Sequence, residues 1–156
     1  MLKIEEYFLT PCTLRGERRA VASPMTSPQD AWEQIGDLWR AVLTRGDLDA
    51  ATTLRFGVMQ STADGALSYA DMVIDRPGLP ETFSTMEFGG GYHLFAEHVG
   101  GPDTLNASVL WFYTTYLPSA PYKVRSGPLL QLLDSRFSED DPTSVLSFGS
   151  PVSRLP

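Results

Sequence analysis

The stretch Ser27-Pro28-Gln29-Asp30-Ala31-Trp32-Glu33-Gln34-Ile35-Gly36-Asp37-Leu38-Trp39-Arg40-Ala41-Val42-Leu43-Thr44-Arg45-Gly46 reads as one amphipathic helix. Ser27 places a capping hydroxyl ahead of Pro28, which loses no intrahelical hydrogen bond in the first turn. Trp32, Ile35, Trp39, Val42 and Leu43 recur at helical spacing, so one face is apolar. The helix is expected to run to about Thr44, with Gly46 as its stop. A second segment of this kind opens at Gly101-Pro102-Asp103 and is expected over about Thr104 to Tyr116. Its stripe is Leu105, Val109, Phe112 and Tyr116, with Ser108, Trp111 and Thr115 beside it, and Pro118 closes it.

Strand candidates surround each helix. Leu14 to Ala22, rich in arginine, reads as a half-exposed strand before the first. Leu54 to Met59 and Leu67 to Ile74 follow it, separated by a loop that carries the turn signal Asp64-Gly65. Arg76 to Glu81, with two prolines and a glycine, is the expected connector between halves. Thr82 to Val99 holds strand-like runs broken by Gly89, Gly90 and Gly91. No phosphate-binding spacing accompanies these glycines, so they predict a bulge or sharp bend. After the second helix come Pro128 to Leu133 and Val145 to Phe148. Both halves therefore follow the order strand, helix, strand, strand, and Pro28 and Pro102 are offset by 74 residues. The expectation is one α+β domain over 1–156, with half one about 1–78 and half two about 79–156. Duplicated units of this kind pack about a pseudo-two-fold axis, and the groove between them is a natural ligand site.

Composition sets the outer bounds. The chain has 156 residues, 42% of them hydrophobic and 20% charged, which fits a folded domain. Twelve Lys and Arg against nineteen Asp and Glu give a net charge of −7, and no dense basic patch supports direct nucleic-acid binding. Acidic nucleic-acid mimicry is not indicated, since the longest acidic run is Glu139-Asp140-Asp141. The single cysteine, Cys12, excludes an intrachain disulfide and suits a reducing compartment. No signal-like or membrane-spanning run is visible, so a cytoplasmic protein without membrane contact is expected.

The second half carries a recognisable series of motifs. Phe88-Gly89-Gly90-Gly91-Tyr92-His93-Leu94-Phe95 leads to His98-Val99-Gly100-Gly101 and to the helix with Trp111 and Phe112. Tyr116-Leu117-Pro118 and Gly127-Pro128-Leu129-Leu130-Gln131-Leu132-Leu133-Asp134-Ser135-Arg136-Phe137 complete it. In order and spacing this resembles the GyrI-like family of bacterial effector-binding domains, with the first half as a divergent partner through Ile35, Leu38 and Trp39. The resemblance implies a concave antiparallel central sheet with two helices on its outer face. It also implies binding of small hydrophobic, often cationic or planar molecules between the halves. Family members include multidrug-sensing modules of transcription activators, stand-alone domains, proteins linked to gyrase inhibition and hydrolases of cyclopropane-containing compounds. This chain resembles the stand-alone form. The family often has a central glutamate and, two residues on, a tyrosine before Asp-x-Arg-Phe. Here those positions match Gln131 and Leu133. A glutamine hydrogen-bonds but neither neutralises a cation nor takes up a proton as a carboxylate does.

Alternation along Pro128 to Leu133 puts Leu130 and Leu132 on one face and Gln131 and Leu133 on the other. With the first pair packed under the helices, Gln131 faces the groove. The expected wall is Tyr69, Met72, Trp111, Tyr116 and Gln131, with Trp39 and the deformable Met59 beside it. The same aromatics at helical spacing serve a core equally well. Asp64, Asp71 and Asp75 are candidates to replace the missing acid, although Asp71 and Asp75 also suit the polar face of a strand. His93 and His98 are five apart and should face opposite sides, a poor metal pair. No cofactor, metal or catalytic constellation is expected. Non-catalytic binding of a small apolar or aromatic compound leads, with a hydrolase of strained electrophiles and a protein-interaction role such as gyrase inhibition as alternatives.

Overall fold

A computed structural model describes residues 2–62 and 66–156. Its strands are β1 (Lys3–Leu9), β2 (Cys12–Val21), β3 (Arg55–Ser61), β4 (Leu67–Ile74), β5 (Ser84–Phe88), β6 (Gly91–Val99), β7 (Tyr122–Val124), β8 (Leu129–Leu133) and β9 (Val145–Arg154). Two helices interrupt them, α1 (Pro28–Arg45) and α2 (Leu105–Trp111). The sheet is antiparallel throughout, in the order β1-β6-β9-β8-β3-β4-β2-β5, with β7 added along β9.

This order contains the expected duplication. The unit β2-α1-β3-β4 is matched by β6-α2-β8-β9, and the two meet where β3 pairs with β8. At the centre of that seam Gly57 stands opposite Gln131. The two are 74 residues apart, the same displacement as Pro28 and Pro102. The leading strands are exchanged: β1 pairs with β6 of the other half, and β5 pairs with β2.

The exchange bends the sheet. Only Thr10 and Pro11 join β1 to β2, and only Gly89 and Gly90 join β5 to β6, yet each pair sits towards opposite ends of the strand order. The ends must therefore curl towards each other. Phe88 of β5 packs on His93 of β6 at 5.7 Å between ring centroids and on Phe56 of β3 at 6.5 Å. Gly90, with φ of 68°, lies at the crossing, where a Cβ would collide with the Leu9 carbonyl oxygen and the Pro11 nitrogen.

Curling produces two cores. On the outer face Ile35, Leu38, Trp39 and Val42 of α1 join Tyr69, Val73, Phe112, Leu133 and Phe148. Inside the curl Leu14, Phe56, Val58, Met72, Phe95 and Leu130 pack together. Burying a leucine- or phenylalanine-sized side chain contributes about 1.5–3 kcal/mol, so both clusters stabilise the sheet.

Local details depart from expectation in three places. The Ser27 side chain makes no capping bond, although its carbonyl accepts the Ala31 N–H at 3.0 Å. Gly46 stays helical at φ −82°, and the left-handed residue that turns the chain is Asp47 at φ 49°. The second helix is α-helical only to Trp111 and widens into a π-helical turn over Phe112–Tyr116. Strands β1 and β7 have no counterpart in the sequence reading, and the Asp64-Gly65 turn lies outside the described residues. Among the described residues no helix is long and apolar enough to cross a membrane.

The crossing gives a direct test. Gly90→Ala is expected to destabilise the fold by about 1–3 kcal/mol in urea unfolding, from left-handed strain alone and more if the clash is not relieved. Gly89→Ala, where nothing lies within 4 Å of the added carbon, is the matched control and should change little.

Candidate functional site

The alternation expected in β8 is present, with the faces reversed. Leu130 lies in the core inside the curl and Leu132 packs against it, while Leu133 joins the core under the helices. The sequence offered one core, and the curl supplies a second, so both faces of β8 are buried. Gln131 therefore points to the helix side and is only 1% exposed, so it does not look onto an open groove.

At the seam Gln131 is part of a hydrogen-bonded chain. The Trp39 indole Nε1–H donates to the Tyr69 hydroxyl at 2.9 Å, and that hydroxyl donates to Gln131 Oε1 at 2.5 Å. All three side chains are at most 1% exposed. Gly57 makes the arrangement sterically feasible, because a Cβ there would collide with the Tyr69 hydroxyl and crowd the Gln131 carbonyl. Burial, helped by the nearby Asp71 charge, pushes the Tyr69 hydroxyl far above the ordinary phenol range, so it stays a donor. Trp39 also meets Phe137 edge-on at 4.9 Å and lies 6.4 Å from Trp32. Phe137 was named in the sequence as part of a motif, not as part of the wall.

Beside this chain lies a buried ion pair. Arg55 Nη1 donates to Asp71 Oδ2 at 2.5 Å, with the side chains 4% and 0% exposed. Asp71 stands opposite Gly57, which stands opposite Gln131, so the carboxylate is on the Gln131 face two strands away. At normal strand spacing that is about 9–10 Å. Burial pushes the Asp71 carboxyl up to about 7, against the opposing pull of Arg55. Asp71 Oδ1 and Arg55 Nε have no hydrogen-bond partner. Of the other aspartates considered, Asp75 is exposed and sits 3.7 Å from Arg15, and Asp64 lies outside the described residues.

The remaining wall residues divide. Met59 shares the Gly57 face and packs against the helix-side core. Trp111 and Tyr116 form a separate aromatic group, 5.8 Å apart, tied through Phe112 to Phe148. Phe148 pairs with Gln131 across the β8–β9 ladder, which places this group on the other flank of the glutamine. Met72 is in the core inside the curl, on the opposite face from Tyr69, because three residues along a strand reverse the side. His93 and His98 do face opposite sides, one beside Phe95 and the other bonded to Ser108 of α2. Among the described residues no group of His, Cys, Asp and Glu could hold a metal ion.

No family model matches the sequence, and no curated protein matches it. Solved structures do. SAV2435 bound to tetraphenylphosphonium superposes with a TM-score of 0.67 at 18% identity, covering 97% of this chain and 94% of that one. The EcmrR C-terminal domain superposes at 0.69 with 9% identity over 99% of each chain. The chain shares the fold of these two structures. A hydrolase from Listeria innocua superposes with a TM-score of 0.56 at 12% identity, over 97% of this chain and 92% of that one.

Two measurements examine the ion pair. Arg55→Met strips a buried carboxylate of its counter-charge and is expected to destabilise by about 3–5 kcal/mol, with Arg55→Met/Asp71→Leu recovering most of it in urea unfolding. Because burial holds the folded Asp71 pKa above that of an unfolded carboxyl, its contribution is complete below about pH 4 and lost as pH rises through about 7. The Tm of the natural chain relative to Asp71→Asn should fall across that window.

Proposed function

We propose that this chain binds a small apolar, aromatic molecule at the seam between its halves, without turning it over. The observation that carries this reading is the buried chain Trp39–Tyr69–Gln131 at the pseudo-two-fold axis, with a second aromatic group on the other flank. A flat ligand is held best by ring faces plus a few fixed polar atoms, and the seam brings both together. The seam is closed by its own side chains, so a ligand enters only where these side chains move apart. SAV2435, which shares this fold, is bound to tetraphenylphosphonium.

Electrostatics favour a neutral ligand over a cation. Gln131 carries no charge, and the nearest buried carboxylate is already paired with Arg55. At the axis itself Tyr69 holds its proton and Gln131 is a neutral amide, while the carboxylate raised to about 7, Asp71, lies two strands away against Arg55. This supports binding over hydrolysis.

Tryptophan fluorescence tests the reading. Neutral triphenylphosphine oxide is expected to quench saturably and to bind at least as tightly as tetraphenylphosphonium. Trp39→Phe should remove most of the quench, and Gln131→Ala should weaken binding by roughly 0.5–1.5 kcal/mol, the net worth of a neutral hydrogen bond. Absence of saturable quenching by either compound would sink the proposal, and a clear preference for the cation would overturn the neutral-ligand part.

A further inference from the structure

The opposite face of the sheet carries a cavity with no part in the seam. Where the interior of the curl opens, a cleft of about 370 Å³ is lined by Arg18, Gln60, Phe88, His93, Arg125 and Pro128, among others. Its residues come from both halves, and the exchange of β1 and β5 is what brings them together.

Two guanidiniums converge here. Arg18 donates to Gln60 Oε1 at 2.7 Å and to Ser68 Oγ at 3.1 Å. Arg125 donates to the carbonyls of Val152 at 3.0 Å and Tyr92 at 2.9 Å. Neutral acceptors thus fix both side chains, and neither is ion-paired among the described residues. In this chain of net charge −7, Arg15, Arg19, Arg40, Arg45, Arg55, Arg136 and Arg154 all meet carboxylates; Arg76 is exposed and without an ion pair among the described residues, and Arg18 and Arg125 share one cleft. The Glu87 carboxylate also lines the cleft, where it accepts from the Thr13 hydroxyl at 2.8 Å and makes no ion pair with either arginine among the described residues. Positive charge held in place without a counter-charge is a site prepared for an anion.

The rest of the lining defines what kind of anion. His93 is 2% exposed, between the rings of Phe88 at 5.7 Å and Phe95 at 6.0 Å. Its Nδ1 lies 3.0 Å from the Gly91 carbonyl, which can only accept, so Nδ1 carries the proton and Nε2 is a bare acceptor in the neutral ring. Burial, with the charge of Arg125, keeps the imidazole neutral by depressing its pKa. Phe88, Pro128 and Met86 add apolar surface. A bare inorganic anion uses the arginines and wastes the apolar wall. A carboxylate on a flat ring uses both, and a hydroxyl beside the carboxylate can donate to His93 Nε2.

We infer that this cleft is a second binding site, for a small aromatic carboxylic acid held between Arg18 and Arg125 against the Phe88–His93 wall.

Proton NMR of the His93 ring in the full chain tests it, at constant ionic strength, with benzoate, salicylate and inorganic phosphate as probes. Benzoate and salicylate should give saturable shifts of the His93 resonances with Kd of about 1 mM or tighter, salicylate binding the more tightly. Arg18→Gln, an exposed position, should weaken both at least several-fold, as should Arg125→Gln, while Gln131→Ala on the far face leaves them unchanged. Unchanged His98 resonances check that each variant is folded. No saturable shift with either acid, or equal affinity in Arg18→Gln, overturns the site. Phosphate binding as tightly as benzoate overturns the aromatic-acid assignment, and loss of benzoate binding in Gln131→Ala would place the ligand at the seam instead.

Discussion

The pairing of β3 with β8 sets the position of every group at the seam, because among the described residues it is the only ladder through which the two four-element units touch along the sheet. Its register places Gly57 against Gln131, and that pair is the centre of the pseudo-symmetry. A side chain on β3 at this point would occupy the space that the Tyr69 hydroxyl fills. The absence of a Cβ at one residue therefore allows Tyr69, from the next strand, to reach across to the other half. Trp39 is then fixed by the same hydroxyl, so one helix is tied to the seam by a polar contact as well as by packing.

Charge is distributed across this framework by face and by strand. Among the described residues the helix side holds one buried carboxylate, two strands from the axis, and compensates it with Arg55. The inner side places uncompensated cationic groups at the mouth of the curl. The low-dielectric interior makes the first pairing consequential, since a buried charge without a partner costs several kcal/mol, whereas Arg18 at the mouth is exposed. The seam is consequently neutral and the mouth positive, even though the whole chain is acidic. Asp71 Oδ1 and Arg55 Nε remain without hydrogen-bond partners, so compensation within this pair is incomplete.

Much of this was legible in the sequence, and the misses have physical causes. The duplication shows in the 74-residue offset of two helix-starting prolines, because helix starts obey local rules that survive divergence. Tyr69 and Gln131 were assignable to one wall by alternation and resemblance. Alternation could also have removed Met72 from that wall, since it is three residues from Tyr69. Arg55 left no signal, because a charged residue at a strand start ordinarily reads as solvent-facing. Strand β1 pairs only with a segment far along the chain, so its seven residues carry no local pattern that distinguishes an exchanged strand from an exposed tail. The π-helical turn depends on how Phe112 and Tyr116 stack over Phe148, which is a tertiary matter.

The exchange of leading strands has a consequence in time. Lys3 pairs with Glu97, so the first strand waits for roughly ninety residues of chain before its partner exists. Pairings of such separation close late and slowly, because the loop entropy is lost before the contacts form. Meanwhile β2, whose outer neighbour β5 is also distant, presents an open edge. A half emerging alone from the ribosome would carry that unfinished edge, and the most complementary surface within reach is a second copy of the same half. The chain's own second half arrives covalently tethered, at an effective concentration that a separate copy has difficulty matching. Covalent duplication is thus a kinetic safeguard: it turns what would be an assembly problem between molecules into a closing step within one.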